Sequence, residues 1–258
     1  MREFFGFGGY ERTPEGAYSW QHLTFVGLVL LAMFLLALFL GLNNRGKSEK
    51  KKNLVLIWSA ILIDSIELFK IVLLCFRSHD PMNWRLNLPL FLCSIQLITI
   101  PLAAFSKGKV REASLDFVLL FGILGAVFGT IGAAQNYGAY PVLSFDNVVS
   151  AVTHAISGFA SLYIAFSKMA SLKEKNIWIT CGIIVVVSIV AYIANLIIPY
   201  NYMFLMRDDG TPYSIFFNLV NGNKVLYPMI VVGLFIIYIF VFYGIVHLVR
   251  SKKKHKNV

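Results

Sequence analysis

Residues Leu23–Leu42 read LTFVGLVLLAMFLLALFLGL, twenty positions without a charge, and Arg45, Lys47, Lys50, Lys51 and Lys52 follow directly. As an α-helix this stretch is about 30 Å long at ~1.5 Å per residue, which matches the hydrocarbon thickness of a bilayer. Lipid offers no partner to a backbone N–H or C=O, so an apolar run of this length satisfies its own groups as a helix. The stretch therefore predicts a transmembrane span that stops at a basic cluster.

Six further stretches resemble it: Leu54–Phe76, Leu88–Phe105, Phe117–Ala134, Asn147–Met169, Ile177–Ile198 and Leu226–Val249. The whole chain is 58% hydrophobic and 14% charged, against about 45–50% and about 25% in soluble domains. The expectation is an all-α polytopic membrane helix bundle of seven transmembrane helices. It forms one domain over residues 1–258, with a leading segment 1–22, a bundle 23–249 and a basic tail 250–258. No apolar run precedes Thr13-Pro14, so no cleavable signal peptide is expected and the first span acts as its own insertion signal.

The net charge of +10 follows the connections rather than forming a nucleic-acid arm. Alternate connections carry five, three, three and five Lys or Arg, and those between them carry two, two, none and two. The positive-inside rule puts the rich set in the cytoplasm, which leaves the N-terminus outside and the C-terminus cytoplasmic. Both basic clusters also suit anionic lipid headgroups. Membrane lipids are the expected partners, nucleic acid is not, and the plasma membrane is the expected location. The longest connection, Pro199–Lys224, contains an amphipathic stretch at 214–220 that reads as a short interfacial or re-entrant helix, or as an ordinary loop on the headgroups.

Polar side chains within spans are costly and usually face the protein interior. Asp64, Glu67 and Lys70 lie at i, i+3 and i+6 in the second span. Cys93 and Gln96 follow Pro89 in the third, His154 lies in the fifth, and Ser188, Tyr192 and Asn195 lie in the sixth. At helical rise, Glu67, Lys70, Cys93, His154 and Asn195 fall roughly 3–11 Å on the outer side of the bilayer midplane. On the fifth span Asn147, Ser150, His154, Ser157 and Ser161 form one stripe, while Gly122, Gly125, Gly129 and Gly132 on the fourth and Gly158 on the fifth offer close-packing faces.

A lone membrane cysteine reads first as a small hydrophobe, and a lone histidine as an interhelical hydrogen-bond partner. The conjunction of Cys93 and His154 at one depth raises a second reading, a thiol activated by an imidazole base. Cys75 and Cys93 differ in depth by roughly 10 Å, too far for a disulfide, and Cys181 lies near the other end of its span. Neither CxxC, HExxH nor GxSxG occurs. Whether the third and fifth spans touch decides between the two readings.

The segment Leu88-Pro89-Leu90-Phe91-Leu92-Cys93-Ser94, the stretch Val152–Gly158 around His154, and Asn201-Tyr202-Met203-Phe204-Leu205 resemble, in order, motifs of the YwaF-like bacterial membrane proteins. These in turn resemble the animal transmembrane protein 164 lipid acyltransferases. The resemblance implies that Cys93 accepts the acyl group and His154 acts as its base; Asn201 and Tyr202 match a third motif. Many relatives carry a histidine where this chain has Phe91 and an acidic residue where it has Ser94.

The expected function is a thiol-dependent acyltransferase acting on phospholipid or a related acylated amphiphile. Gln96 or Asn195 would donate to the oxyanion, and Glu67 and Lys70 would orient His154, bind a headgroup or form a structural ion pair. No metal or cofactor is implied beyond the acyl donor. The alternative is a transporter or permease component with Asp64, Glu67, Lys70 and His154 lining a path, and a receptor or assembly protein without chemistry is a third reading.

Overall fold

The computed structural model describes residues 1–170 and 172–255; residue 171 and the last residues of the basic tail, 256–258, lie outside the described residues. Nine α-helices and three short 3-10 turns occur among the described residues. The chain forms two compact units, Met1–Ala170 and Ser171–Val258.

The first unit begins with a leading segment and then α1 (Trp20–Asn44), α2 (Glu49–Ser78), α3 (Gln96–Phe105), α4 (Gly108–Thr130), the short α5 (Ala134–Ala139) and α6 (Phe145–Phe166). Helix starts follow capping chemistry. Ser19 Oγ accepts the His22 N–H of α1 at 3.2 Å, and Ser144 Oγ accepts the Asn147 N–H of α6 at 3.3 Å; such bonds satisfy donors that a helix N-terminus leaves free. α2 ends where His79 turns left-handed at φ 51°.

Small residues set the packing. A Cβ on Gly122 would meet the Ser157 carbonyl oxygen at 2.6 Å and Ser161 Cβ at 2.8 Å, so α4 and α6 approach backbone to backbone. Gly158 abuts Met33 and Ala126, and Gly41 abuts Phe166, which seats α1 against α6. The polar stripe of α6 therefore faces α4, and Ser161 Oγ donates to the Leu119 carbonyl at 2.7 Å. At the lysine-rich end, Asn44 Nδ2 donates to Tyr163 Oη, which donates to the Lys52 carbonyl, joining α1, α6 and α2.

The second unit contains α7 (Ile177–Ile197), the loop with α8 (Ser214–Leu219), and α9 (Leu226–His255). Of the two readings of the 214–220 stretch, helix or loop, the helix is observed, over Ser214–Leu219. The expected spans correspond to helices except the third: Leu88–Phe105 is helical only from Gln96. Pro89 disfavours the helical conformation at Leu88, which is extended at φ −63°, ψ 147°. Ser94 then closes a turn, its Oγ accepting the Phe91 N–H at 2.9 Å and donating to the Phe91 carbonyl at 3.1 Å.

Among the described residues, five stretches are long and apolar enough to cross a membrane: Trp20–Asn44, Gly108–Ala139, Phe145–Phe166, Glu174–Ile197 and Leu226–Lys252. α2 has 30 residues, ample length, but it carries Asp64, Glu67 and Lys70 mid-helix. α4 starts at Gly108, earlier than the apolar run suggests, because Lys109, Arg111 and Glu112 extend it as a polar first turn.

Candidate active site

Cys93 sits in the turn three residues before α3, and His154 projects from the middle of α6. The Cys93 thiol and the His154 imidazole lie within electrostatic reach of each other. The adjacency that the sequence left open exists, and α4 is its floor. A Cβ on Gly125 would lie 3.4 Å from Cys93 Cβ, whereas one on Gly129, a turn later, would overlap the Cδ2–Nε2 edge of the His154 ring and lie 2.7 Å from its Cγ. The α4 glycines expected to serve packing thus also carry the pair.

His154 Nδ1 lies 2.7 Å from the Ser150 carbonyl oxygen and 3.5 Å from Ser150 Oγ. A carbonyl only accepts, so Nδ1 bears a proton and donates. In the neutral ring this leaves Nε2 as the lone-pair nitrogen. The group that orients the imidazole is therefore a backbone carbonyl one helical turn back, not Glu67.

Glu67 pairs instead with Lys70, Oε1 to Nζ at 2.5 Å, and Lys70 lies within electrostatic reach of both Cys93 and His154. Gln96 begins α3 fully buried. Its Oε1 accepts from Thr99 Oγ1 at 3.0 Å, while its Nε2 has no hydrogen-bond partner among the described residues. Asp64 Oδ1, a turn before Glu67 on α2, is likewise buried without a partner. Buried polar atoms are nearly always paired, so these two atoms, with Asn147 Oδ1 of α6 on the same footing, mark polar capacity that the fold itself leaves unused.

The remaining candidates belong to the second unit and differ in kind. Asn195 Oδ1 accepts the Tyr202 N–H at 2.7 Å and its Nδ2 donates to the Tyr202 carbonyl at 3.0 Å. Asn201 Nδ2 donates to the Arg207 carbonyl at 2.8 Å and to Asp209 Oδ2 at 2.7 Å, while its Oδ1 accepts the N–H groups of Met206 at 2.9 Å and Arg207 at 3.3 Å. Both amides hold a loop in which Met203 and Phe204 are left-handed, at φ 54° and 55°, a conformation that costs a non-glycine residue about 1–2 kcal/mol.

A model of the TMEM164 family matches residues 17–246. The chain belongs to the TMEM164 family. The family span covers the Cys93–His154 pair and the Asn201 loop alike, and the membrane character of the helices agrees with it. No curated protein and no solved structure matches the chain.

Two clusters in the first unit escaped the sequence reading. His22 is fully buried, its Nδ1 accepting the Tyr18 N–H at 2.9 Å, its Nε2 donating to the Thr130 carbonyl at 3.2 Å and its ring stacked on Tyr137. This neutral bridge fixes the end of α4 beside Gly129. Arg77, at the end of α2, holds Asp146, at the start of α6, through two bonds of 2.6 and 2.8 Å. The leading segment is bound across this pair: Tyr10 Oη donates to Asp146, and Arg77 donates to the Phe5 carbonyl at 3.2 Å. Burial first, then the hydrogen bond to Asp146, pushes the Tyr10 phenol up to about 12. Arg77 and Asp146 are 69 residues apart at the ends of different helices, so no helical spacing links them in the sequence.

Proposed function

We propose that this protein is an integral membrane acyltransferase that carries an acyl group on Cys93 and moves it between phospholipids or related acylated amphiphiles. The observation that carries the reading is the juxtaposition of Cys93 and His154 over Gly125 and Gly129 of α4, with Nδ1 already engaged by the Ser150 carbonyl. That arrangement leaves one ring nitrogen free to take the thiol proton, which is the geometry of an activated nucleophile.

In the proposed cycle His154 Nε2 accepts the Cys93 proton and the thiolate attacks the donor ester carbonyl. The C–S bond forms, the C–O bond breaks, and the imidazolium returns its proton to the departing alkoxide. The acceptor hydroxyl then gives its proton to Nε2 and attacks the thioester, and Cys93 leaves as thiolate and is reprotonated. Gln96 Nε2, three residues beyond the nucleophile, is the proposed donor to the carbonyl oxygen as it gains charge, supported by its buried and unpartnered state. Lys70 is the proposed contact for an anionic headgroup. Asn195, Asn201 and Tyr202 support the loop rather than the reacting atoms.

In this reading the chain lies in the plasma membrane and crosses it seven times, N-terminus outside, with α2 and the Leu88–Phe105 stretch as the two passages that carry polar groups. In reconstituted vesicles, transfer of a labelled acyl chain between phospholipids is expected to vanish in Cys93→Ala; retention of transfer would refute the mechanism.

Transport is the second reading, favoured by the buried, unpartnered Asp64 Oδ1. It calls for proton or solute flux that is lost in Asp64→Asn and retained in Cys93→Ala.

A further inference from the structure

We propose that Gly129 is a positioning residue for His154: the imidazole occupies the space that a side chain at 129 would fill. The inference rests on reading Cys93 and His154 as nucleophile and base, and it adds the element that holds their spacing.

The geometry is specific to this glycine. Gly122 faces Ser157 and Ser161, Gly132 faces the Phe128 carbonyl, and Gly125 would meet Cys93 at an ordinary 3.4 Å. Only at Gly129 is the histidine ring the obstructing group, with Cδ2 and Nε2 inside the volume of the missing Cβ and Cγ at 2.7 Å from it. To reach an ordinary van der Waals contact, the ring edge must retreat by roughly 1 Å or more.

The ring has little freedom to do so and keep its function. Nδ1 is held to the Ser150 carbonyl at 2.7 Å, so a retreat of the Cδ2–Nε2 edge either breaks that bond or swings the ring about it and changes its placement relative to Cys93. The shelf itself is fixed, because His22 bonds the carbonyl of Thr130, the next residue of α4. A misplacement near 1 Å costs on the order of 100-fold in a reaction that depends on alignment. Glycine is a poor helix former, and at position 129 its lack of a side chain is what lets base and nucleophile meet.

The test uses the full chain in detergent micelles with Cys75→Ser and Cys181→Ser, so that Cys93 is the sole thiol. Its alkylation by N-methylmaleimide is followed by mass at one fixed pH. Gly129→Ala is expected to slow alkylation roughly 10-fold to 100-fold. In a His154→Ala background, where the ring is absent, the same change is expected to have no effect, a non-additivity that general helix damage would not produce. Equal slowing in both backgrounds, or no slowing with His154 present, would overturn the proposal while leaving the pair intact. If His154→Ala alone leaves the rate unchanged, the nucleophile–base reading fails and Gly129 has nothing to position. Should Gly129→Ala not fold, His154→Ala is expected to restore folding, and failure of the double variant would overturn the proposal as well.

Discussion

The two units each bury polar side chains, and these differ in how completely they are satisfied. In the second unit Asn201 uses both amide hydrogens and accepts two backbone N–H groups, and Asn195 pairs with both peptide groups of Tyr202. In the first unit His154 keeps one ring nitrogen for a thiol, Gln96 Nε2 has no partner among the described residues, and neither has Asp64 Oδ1. A saturated side chain stabilises a conformation; one with spare capacity has something left to offer a reacting group. Both look alike in a list of polar residues within apolar runs.

The sharpest way to break this contrast is to remove one member of each kind and read activity and stability separately. His154→Ala is expected to lower acyl transfer by about 10²–10⁴-fold, the usual contribution of a general base, measured per folded molecule in vesicles. Gln96→Leu removes the orphaned donor and is expected to lower turnover by about 10²-fold or more. Its denaturation midpoint should hold or rise, because the unpaired Nε2 is lost while Thr99 Oγ1 keeps the Ile95 carbonyl as acceptor. A fall in stability with full turnover would place Gln96 in the saturated class.

Asn201→Ala is expected to do the reverse. Losing its bonds should destabilise the protein by on the order of 2 kcal/mol, with Cys93 alkylation unchanged per folded molecule.

The smallest expected effect concerns the leading segment. Because the Tyr10 phenol is held up to about 12 against an ordinary 10, the folded state favours its neutral form. Its contribution is complete below pH ~10 and declines as pH rises towards ~12. Protease cleavage before Trp20 should therefore quicken across that window, and Tyr10→Phe should remove the dependence.

How much of this was legible in the sequence varies by feature. The apolar runs marked the helices because lipid forces unbroken hydrogen-bonded segments, and the ends of α7 fell within a residue of expectation. The turn at 88–95 was missed because an apolar run reads as helix whether or not it is one; Pro89 was the signal, and Ser94 supplied the bonds that close the turn. Depth brought Cys93 and His154 to one level, but contact between their segments depends on α4, which one sequence does not position. The spacing of Gly122, Gly125 and Gly129 recorded that close approach without naming what approached. Depth also grouped Asn195 with the pair, since position along a helix carries no information on whether an amide is already bonded. Arg77 and Asp146 pair across two helix ends far apart in sequence, beyond the reach of any periodicity.

Whether Cys93 carries the acyl group is read from mass spectrometry of the protein after incubation with labelled phospholipid. An acyl adduct is expected on the Cys93 peptide, removed by hydroxylamine and accumulating when no acceptor is supplied. An unmodified Cys93 peptide during undiminished acyl transfer would contradict that role.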